Sequence, residues 1–140
     1  MLKNFQNKSV LITGAATGIG RALSHELANR GAIVYVTALT KKEAQIVVEE
    51  ITSSNGKAIA AKLDVGKFKD IEKMINLVVS EQGKLDLMIN NAGVAYVGES
   101  FDMQVETIEK LAHINFTAVN TGAVLAYTQM KKQGFGHILN

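Results

Sequence analysis

Short apolar runs alternate along the chain with longer segments whose apolar residues recur every three or four positions. The runs SVLIT at 9–13, AIVYVTA at 32–38 and LDLMIN at 85–90 contain few polar residues. Such runs are typical of strands covered on both faces, whereas three- and four-residue spacing is typical of helices with one buried face. The alternation therefore predicts repeated strand–helix units that build a parallel sheet.

The predicted elements follow one another to the end of the chain. We expect strands at 9–13, 32–38, 57–63, 85–90 and 137–140, helices at 21–29, 42–53, 67–82 and about 103–132, a glycine-rich turn at 14–20, and a loop from 91 to about 100. With short connections and right-handed crossovers, these predict an α/β doubly wound parallel sheet of the Rossmann type, with strand order 3-2-1-4-5. We expect one domain over residues 1–140, truncated at the fifth strand and so incomplete at its C-terminus.

Composition excludes several classes of function. The 140 residues are 47% hydrophobic and 20% charged, and a net charge of +2 from scattered lysines gives no support for a nucleic-acid partner. No metal site is expected, because the chain has no cysteine and His25, His113 and His137 do not share metal-ligand spacing. The apolar runs are too short for a membrane span, and the polar segment from Met1 to Ser9 does not resemble a signal peptide, so we expect a cytoplasmic protein.

A glycine-rich turn, TGAATGIG, joins the first strand to the first helix. Glycines at 14, 18 and 20 let the backbone turn sharply and approach a ligand closely. The free N–H groups at a helix start, with the positive end of the helix dipole, form an anion site that suits a pyrophosphate. The alternative is a plain tight turn between strand and helix.

The spacing of TGAATGIG resembles the cofactor loop of the classical short-chain dehydrogenase/reductase family. The resemblance implies that Gly14, Thr17, Gly18, Ile19 and Gly20 bind a nicotinamide dinucleotide. It also implies that the chain is the dinucleotide-binding part of an enzyme acting on a small-molecule substrate.

Two further motifs carry the same resemblance in the same order. Asp64-Val65 resembles the family's Asp-Val pair, whose carboxylate takes the adenine amino group while a neighbouring backbone N–H meets the ring. The alternative is an ordinary solvated acid at a strand end. Asn90-Asn91-Ala92-Gly93 resembles the family's NNAG segment, which implies that Asn91, Ala92 and Gly93 line the cofactor ribose; the alternative is a plain loop.

Asn115 lies on the long helix among apolar residues at three- and four-residue steps, including Ile108, Leu111 and Ala118. We therefore expect a buried amide, which costs about 1–3 kcal/mol if it finds no partner. The resemblance implies a catalytic role, in which Asn115 holds a water that connects the catalytic lysine to solvent. The alternative is a structural amide that bonds the backbone of a neighbouring element.

The end of the second strand bears on the choice of cofactor. In folds of this type an acid about 20 residues beyond the glycine loop accepts a hydrogen bond from the ribose 2′-OH of NAD. Ala38 stands there, with no acid between Glu26 and Glu43, and Lys41 and Lys42 follow closely. This pattern favours NADP and leaves NAD possible; the two lysines are alternatively a solvated helix start.

The resemblance implies a serine after the fifth strand and a Tyr-x-x-x-Lys pair on the next helix. Tyr127 and Lys131 have that spacing but lie on the preceding helix, so we exclude them as the catalytic pair. Two hypotheses remain: part of an NAD(P)-dependent oxidoreductase that interconverts a carbonyl and a hydroxyl group by hydride transfer, or a non-catalytic dinucleotide-binding or structural module complete at 140 residues. The long helix is apolar nearly all round between Leu111 and Tyr127, which predicts burial on more than one side and a homo-oligomer.

Overall fold

A computed structural model describes residues 4–140 as a five-stranded parallel sheet with helices on both faces. Met1 to Lys3, the start of the polar opening segment, lie outside the described residues. The strand order is β3-β2-β1-β4-β5, with parallel pairing between neighbours. The predicted fold class and strand order are therefore confirmed.

The element bounds follow chain order. The strands are β1 Ser9–Ile12, β2 Ile33–Ala38, β3 Lys57–Lys62, β4 Leu87–Ile89 and β5 His137–Leu139. The helices are α1 Gly18–Asn29, α2 Lys41–Ser53, α3 Phe68–Gln82, α4 Val105–Ala112 and α5 Val119–Gln133, with a 3₁₀ turn Ser100–Asp102 and a π-helical segment His113–Ala118.

Successive residues of each strand supply two separate hydrophobic layers. Val10 and Ile12 of β1 pack into a cluster with α1 and α2, whereas Leu11 packs into the cluster formed with α3 and α5. The same alternation continues in β2, where Tyr35 faces the second cluster. Because both faces are covered, the strands need no polar side, which explains their continuous apolar sequence.

The first helix begins earlier than the sequence pattern predicted. It starts at Gly18 rather than at residue 21, with Thr17 as its N-cap in extended backbone. The glycine-rich turn is therefore shorter than expected, because Ile19 and Gly20 lie in the first turn of the helix although glycine has a low helix propensity.

The predicted helix over 103–132 is interrupted. Met103 and Gln104 have extended backbone, with ψ of 121° and 149°, so α4 begins at Val105. The π-helical segment then separates α4 from α5 without ending the helical path. Its i→i+5 hydrogen bonds widen the turn and change which residues share a face, which a regular 3.6-residue period does not anticipate.

Within residues 4–140 this helix buries one face, so its burial on a second side stays a prediction. α5 buries the face with Gly122, Ala126 and Met130, whereas Phe116 and Tyr127 are 70% and 62% exposed. The reason is that α5 packs against α3 and the sheet on one side alone. Over residues 4–140, none of the helices combines the length and the hydropathy that a membrane crossing requires.

Candidate functional site

A cleft of about 730 Å³ opens above the ends of the central strands. Its walls come from the glycine-rich turn, the ends of β2 and β3, the segment after β4 and the helix that follows: Gly14, Thr17, Gly18, Ile19, Ala38, Leu39, Leu63, Asp64, Val65, Asn91, Ala92, Gly93, Val94, Lys110 and Ile114. Every residue that the sequence assigned to cofactor binding lines this cleft, except Gly20, which lies beneath the turn. Segments that lie far apart in the sequence thus meet at one site.

The glycine-rich turn uses left-handed backbone at two positions. Gly14 has a φ of 61° and Gly18 a φ of 54°, conformations that residues with a side chain rarely adopt. The turn delivers the start of α1 to the cleft, where the first N–H groups of a helix have no intrahelical partner. The arrangement provides donors and a positive dipole end for an anion.

Close backbone packing explains two of the glycines. A Cβ on Gly20 would lie 2.5 Å from Nδ2 of Asn91 and 2.6 Å from the carbonyl oxygen of Gly14. A Cβ on Gly14 would lie 2.9 Å from Cα of Ala92. The turn and the segment after β4 therefore approach each other more closely than any side chain allows.

Hydrogen bonds join the same two segments. The hydroxyl oxygen of Thr13 accepts from the backbone N–H groups of Asn91 (3.0 Å) and Ala92 (2.9 Å). The Asn91 amide donates to the carbonyl oxygens of Thr13 (2.9 Å) and Gly14 (3.0 Å). Because Thr13 is buried, these bonds fix the floor of the cleft.

The far wall is formed by the turn after β3. Oδ1 of Asp64 accepts from the Gly66 N–H at 3.0 Å, and Oδ2 lies 3.8 Å from the Lys67 ammonium. His113 of the π-helical segment donates through Nε2 to the Gly66 carbonyl at 2.9 Å and contacts the Phe68 ring, with centroids 5.1 Å apart. The π-helical segment therefore supports the Asp64 turn.

Asn115 holds the opposite side of the cleft. Its Oδ1 accepts from the Val94 N–H at 2.9 Å, and its Nδ2 donates to the Val94 carbonyl at 2.7 Å. The expectation that Asn115 is buried is wrong: its side chain is exposed and bonds the exposed loop after β4, and α4 before it has no buried residue either. The amide thus bonds the backbone of a neighbouring element, and its catalytic role stays a prediction.

Other candidate groups lie outside the cleft. Tyr127 and Lys131 border a separate groove with Phe135 and Ile138, beside β5. His25 pairs with Glu50 on the outer surface, at 3.0 Å. In the part of the chain from residue 4 onward, no cluster of three or more His, Cys, Asp or Glu side chains is placed to hold a metal ion.

A match to a family model covers all five strands of the sheet. The family model described as short chain dehydrogenase matches residues 8–140. The chain belongs to the short-chain dehydrogenase/reductase family. The family that the glycine-rich turn indicated is thereby confirmed.

Relatives in this short-chain dehydrogenase/reductase family are longer than the region that this chain matches. An uncharacterized oxidoreductase of Thermotoga maritima is 37% identical over 137 residues, covering 98% of this chain and 54% of the relative. A crystal structure of a short-chain type dehydrogenase/reductase from Mycobacterium marinum has 34% identity and a TM-score of 0.92, covering 96% of this chain and 55% of the other. A metagenomic short-chain oxidoreductase crystallised with NADP has 27% identity and a TM-score of 0.89, covering 96% and 61%. The chain spans about half the length of the Thermotoga maritima relative.

Sequence reasoning missed several residues of this short-chain dehydrogenase/reductase cleft. Leu39, Leu63, Val94, Lys110 and Ile114 line it, and Thr13 anchors its floor. Leu39 follows Ala38 directly, so its place at the rim could have been read from the end of β2. The position of Ile114 depends on the helix phase, which the π-helical segment alters.

Proposed function

We propose that the cleft binds a nicotinamide dinucleotide, NADP(H) first and NAD(H) as the alternative. The chain would serve as the dinucleotide-binding part of a cytoplasmic oxidoreductase that interconverts a carbonyl and a hydroxyl group of a small molecule. The observation that carries the proposal is the joint placement of the glycine turn, the Asp64 turn and Asn91–Gly93 around one cleft. When bound, the nicotinamide ring supplies or accepts the hydride.

The residues of the cleft fit such a ligand. The start of α1 offers N–H groups to the pyrophosphate, and Gly14 and Gly18 leave room for close approach. We expect the Asp64 carboxylate and the backbone of Val65 to bind the adenine, and Ala92 and Gly93, which have no large side chains, to border the ribose; all four line the cleft. Asn115 keeps the Val94 segment in place at the opposite end.

NADP(H) is the first choice because β2 ends in Ala38 rather than in an acid. A carboxylate at that position would accept from a ribose hydroxyl and repel a phosphate. The NADP-containing metagenomic relative supports this choice.

Titration of the purified chain with NADPH and NADH tests the proposal. We expect saturable binding of nucleotide, followed by its fluorescence, since the chain has no tryptophan to interfere. We also expect no oxidation of NADPH with aldehydes or ketones by this chain, because Tyr127 and Lys131 lie outside the cleft. Failure of both nucleotides to bind would contradict the proposal. Oxidation of NADPH would contradict the exclusion of Tyr127 and Lys131 as the catalytic pair.

We further expect the chain to self-associate as a homo-oligomer. Phe116, Val124 and Tyr127 are 70%, 64% and 62% exposed along the π-helical segment and α5, and such apolar surface favours association. Light scattering over a range of protein concentrations measures it. A monodisperse monomer throughout the range would contradict the expectation.

A further inference from the structure

A groove of about 320 Å³ runs from the cofactor cleft into the space between α1 and α2. It shares Gly14, Thr17, Ala38 and Leu39 with the cleft, and it adds Arg21 and Glu43 as its charged side chains. We propose that Glu43 is a specificity-determining residue, whose carboxylate opposes the 2′-phosphate of NADP(H) and so lowers the affinity for NADP(H) relative to NAD(H). This inference rests on the proposed function.

The groove lies where the 2′ substituent is recognised. In dinucleotide-binding folds, the group that discriminates a ribose 2′-OH from a 2′-phosphate stands beyond the glycine loop, at the end of the second strand. Ala38 is the last residue of β2, and it is buried and uncharged. Since Ala38 carries no charge, the charged side chains that border the groove add to the discrimination between the two nucleotides.

The cation of the groove is already paired. Arg21 donates to the Glu50 carboxylate through Nε (3.1 Å) and Nη2 (2.5 Å). The hydrogen bond with His25, together with those from Arg21, holds the pKa of Glu50 below its ordinary value, so Glu50 is a carboxylate at neutral pH. A phosphate entering the groove would have to compete with Glu50 for Arg21.

Glu43 occupies donors beside the end of β2. Its Oε2 accepts from the Thr40 N–H at 3.1 Å and from the Thr40 hydroxyl at 2.7 Å, which completes a capping box at the start of α2. Both donors of Thr40 are thus taken by a negative charge. Lys41 and Lys42 are exposed and, among residues 4–140, stand outside the lining of the groove.

The balance of charge decides the sign of the effect. Of the two charged side chains that line the groove, Arg21 is paired with the Glu50 carboxylate, whereas Glu43 is bonded to the neutral Thr40. A phosphate monoester adds about −1.5 to −2 charges near neutral pH, whereas a hydroxyl adds none. The carboxylate of Glu43 therefore penalises NADP(H) and leaves NAD(H) unaffected.

Glu43→Gln tests the inference, because glutamine at this position also completes a capping box and removes the charge alone. Titrating the full chain with each nucleotide, we expect the Kd of NADPH to fall about five-fold and the Kd of NADH to stay unchanged. The gain in NADPH affinity should shrink as ionic strength rises. Glu43→Lys should strengthen NADPH binding further, and thermal unfolding of each variant shows that it folds.

Glu49→Gln is the matched control. Glu49 lies on the same helix, where it accepts from Gln45 at 3.2 Å on the exposed face. If the ratio of NADPH to NADH affinity is unchanged in both Glu43 variants, or changes equally in Glu49→Gln, this inference is overturned while the proposed function stands. Failure of the unmodified chain to bind either nucleotide would overturn the proposed function, and this inference with it.

Discussion

Replacing Gly20 with alanine is expected to weaken NADPH binding about 10- to 100-fold, through a methyl group that never touches the nucleotide. The new Cβ would meet the Asn91 amide at 2.5 Å and the Gly14 carbonyl oxygen at 2.6 Å. Either α1 or the segment after β4 must move, and the move breaks the bonds from Asn91 to Thr13 and Gly14. Because those bonds hold the glycine turn against the cleft floor, the N–H groups for the pyrophosphate lose their alignment.

Gly83→Ala is the control for this experiment. Gly83 has a φ of 73° at the end of α3, and a Cβ there would meet nothing within 4 Å. Alanine at Gly83 should therefore cost stability through backbone strain but leave the Kd of NADPH as it is. Nucleotide fluorescence measures both variants. If Gly20→Ala bound NADPH like the unmodified chain, close packing beneath the turn would not position the nucleotide.

The sheet could be predicted from sequence because its signal is local. Each strand is a short apolar run, and each connection is a helix of recognisable period, so the parallel order followed from general rules of handedness and connection. The resemblance to short-chain dehydrogenases/reductases assigned the motifs at residues 14, 64 and 91 to one cofactor. They lie together because the carboxyl ends of parallel strands meet at one edge.

The helix around Asn115 shows where a periodic pattern fails. Apolar residues do recur at three- and four-residue steps from Ile108 to Ala118. Placing them on one face, however, assumed a constant 3.6 residues per turn. The π-helical segment His113–Ala118 changes that phase, and α4 before it has no buried residue; Asn115 is exposed, and Phe116 is 70% exposed. A local insertion of this kind leaves no clear trace in hydrophobic periodicity.

Buried polar groups were missed for a different reason. The hydroxyl of Thr13 bonds backbone groups that lie 78 and 79 positions away in the chain. Asp86 was read as part of the apolar run LDLMIN, although its partners Lys8 and Ser9 lie 78 and 77 positions away. Composition and spacing describe neighbours along the chain, and they carry no information about which distant donor will satisfy a buried acceptor.

Asp86→Asn is expected to lower the free energy of unfolding by about 2 kcal/mol, because it replaces a buried, charged hydrogen-bond acceptor with a neutral amide. The Asp86 side chain is 2% exposed and lies 2.9 Å from the Lys8 ammonium and 3.3 Å from that of Lys84. Oδ2 also accepts from the N–H of Ser9 at 3.0 Å. This cluster ties the start of β1 to the start of β4, at the end of the sheet opposite to the cleft.

Glu26→Gln provides the matched control. Glu26 pairs with Arg30 one helical turn away, with side chains 54% and 60% exposed, so its loss should cost less than about 0.5 kcal/mol. Urea unfolding of the two variants and the unmodified chain, at one protein concentration, gives the comparison. Equal costs for the two substitutions would show that the Asp86 cluster contributes no more than a surface pair.

The pH dependence of the unfolding free energy shows whether the negative charge of Asp86 stabilises the fold. Burial raises the pKa of Asp86, but hydrogen bonds from Lys8, Ser9 and Lys84 outweigh it and hold the pKa below its ordinary value of 3.8. A carboxyl whose pKa is lower in the folded state stabilises the fold above its unfolded pKa, and the stabilisation is lost as pH falls through the folded value. The gap in unfolding free energy between the unmodified chain and Asp86→Asn should therefore be full at neutral pH and close below the ordinary pKa of aspartate. A gap that stayed constant through that range would mean that the ionised form of Asp86 does not stabilise the sheet, and that the asparagine variant loses stability through geometry alone.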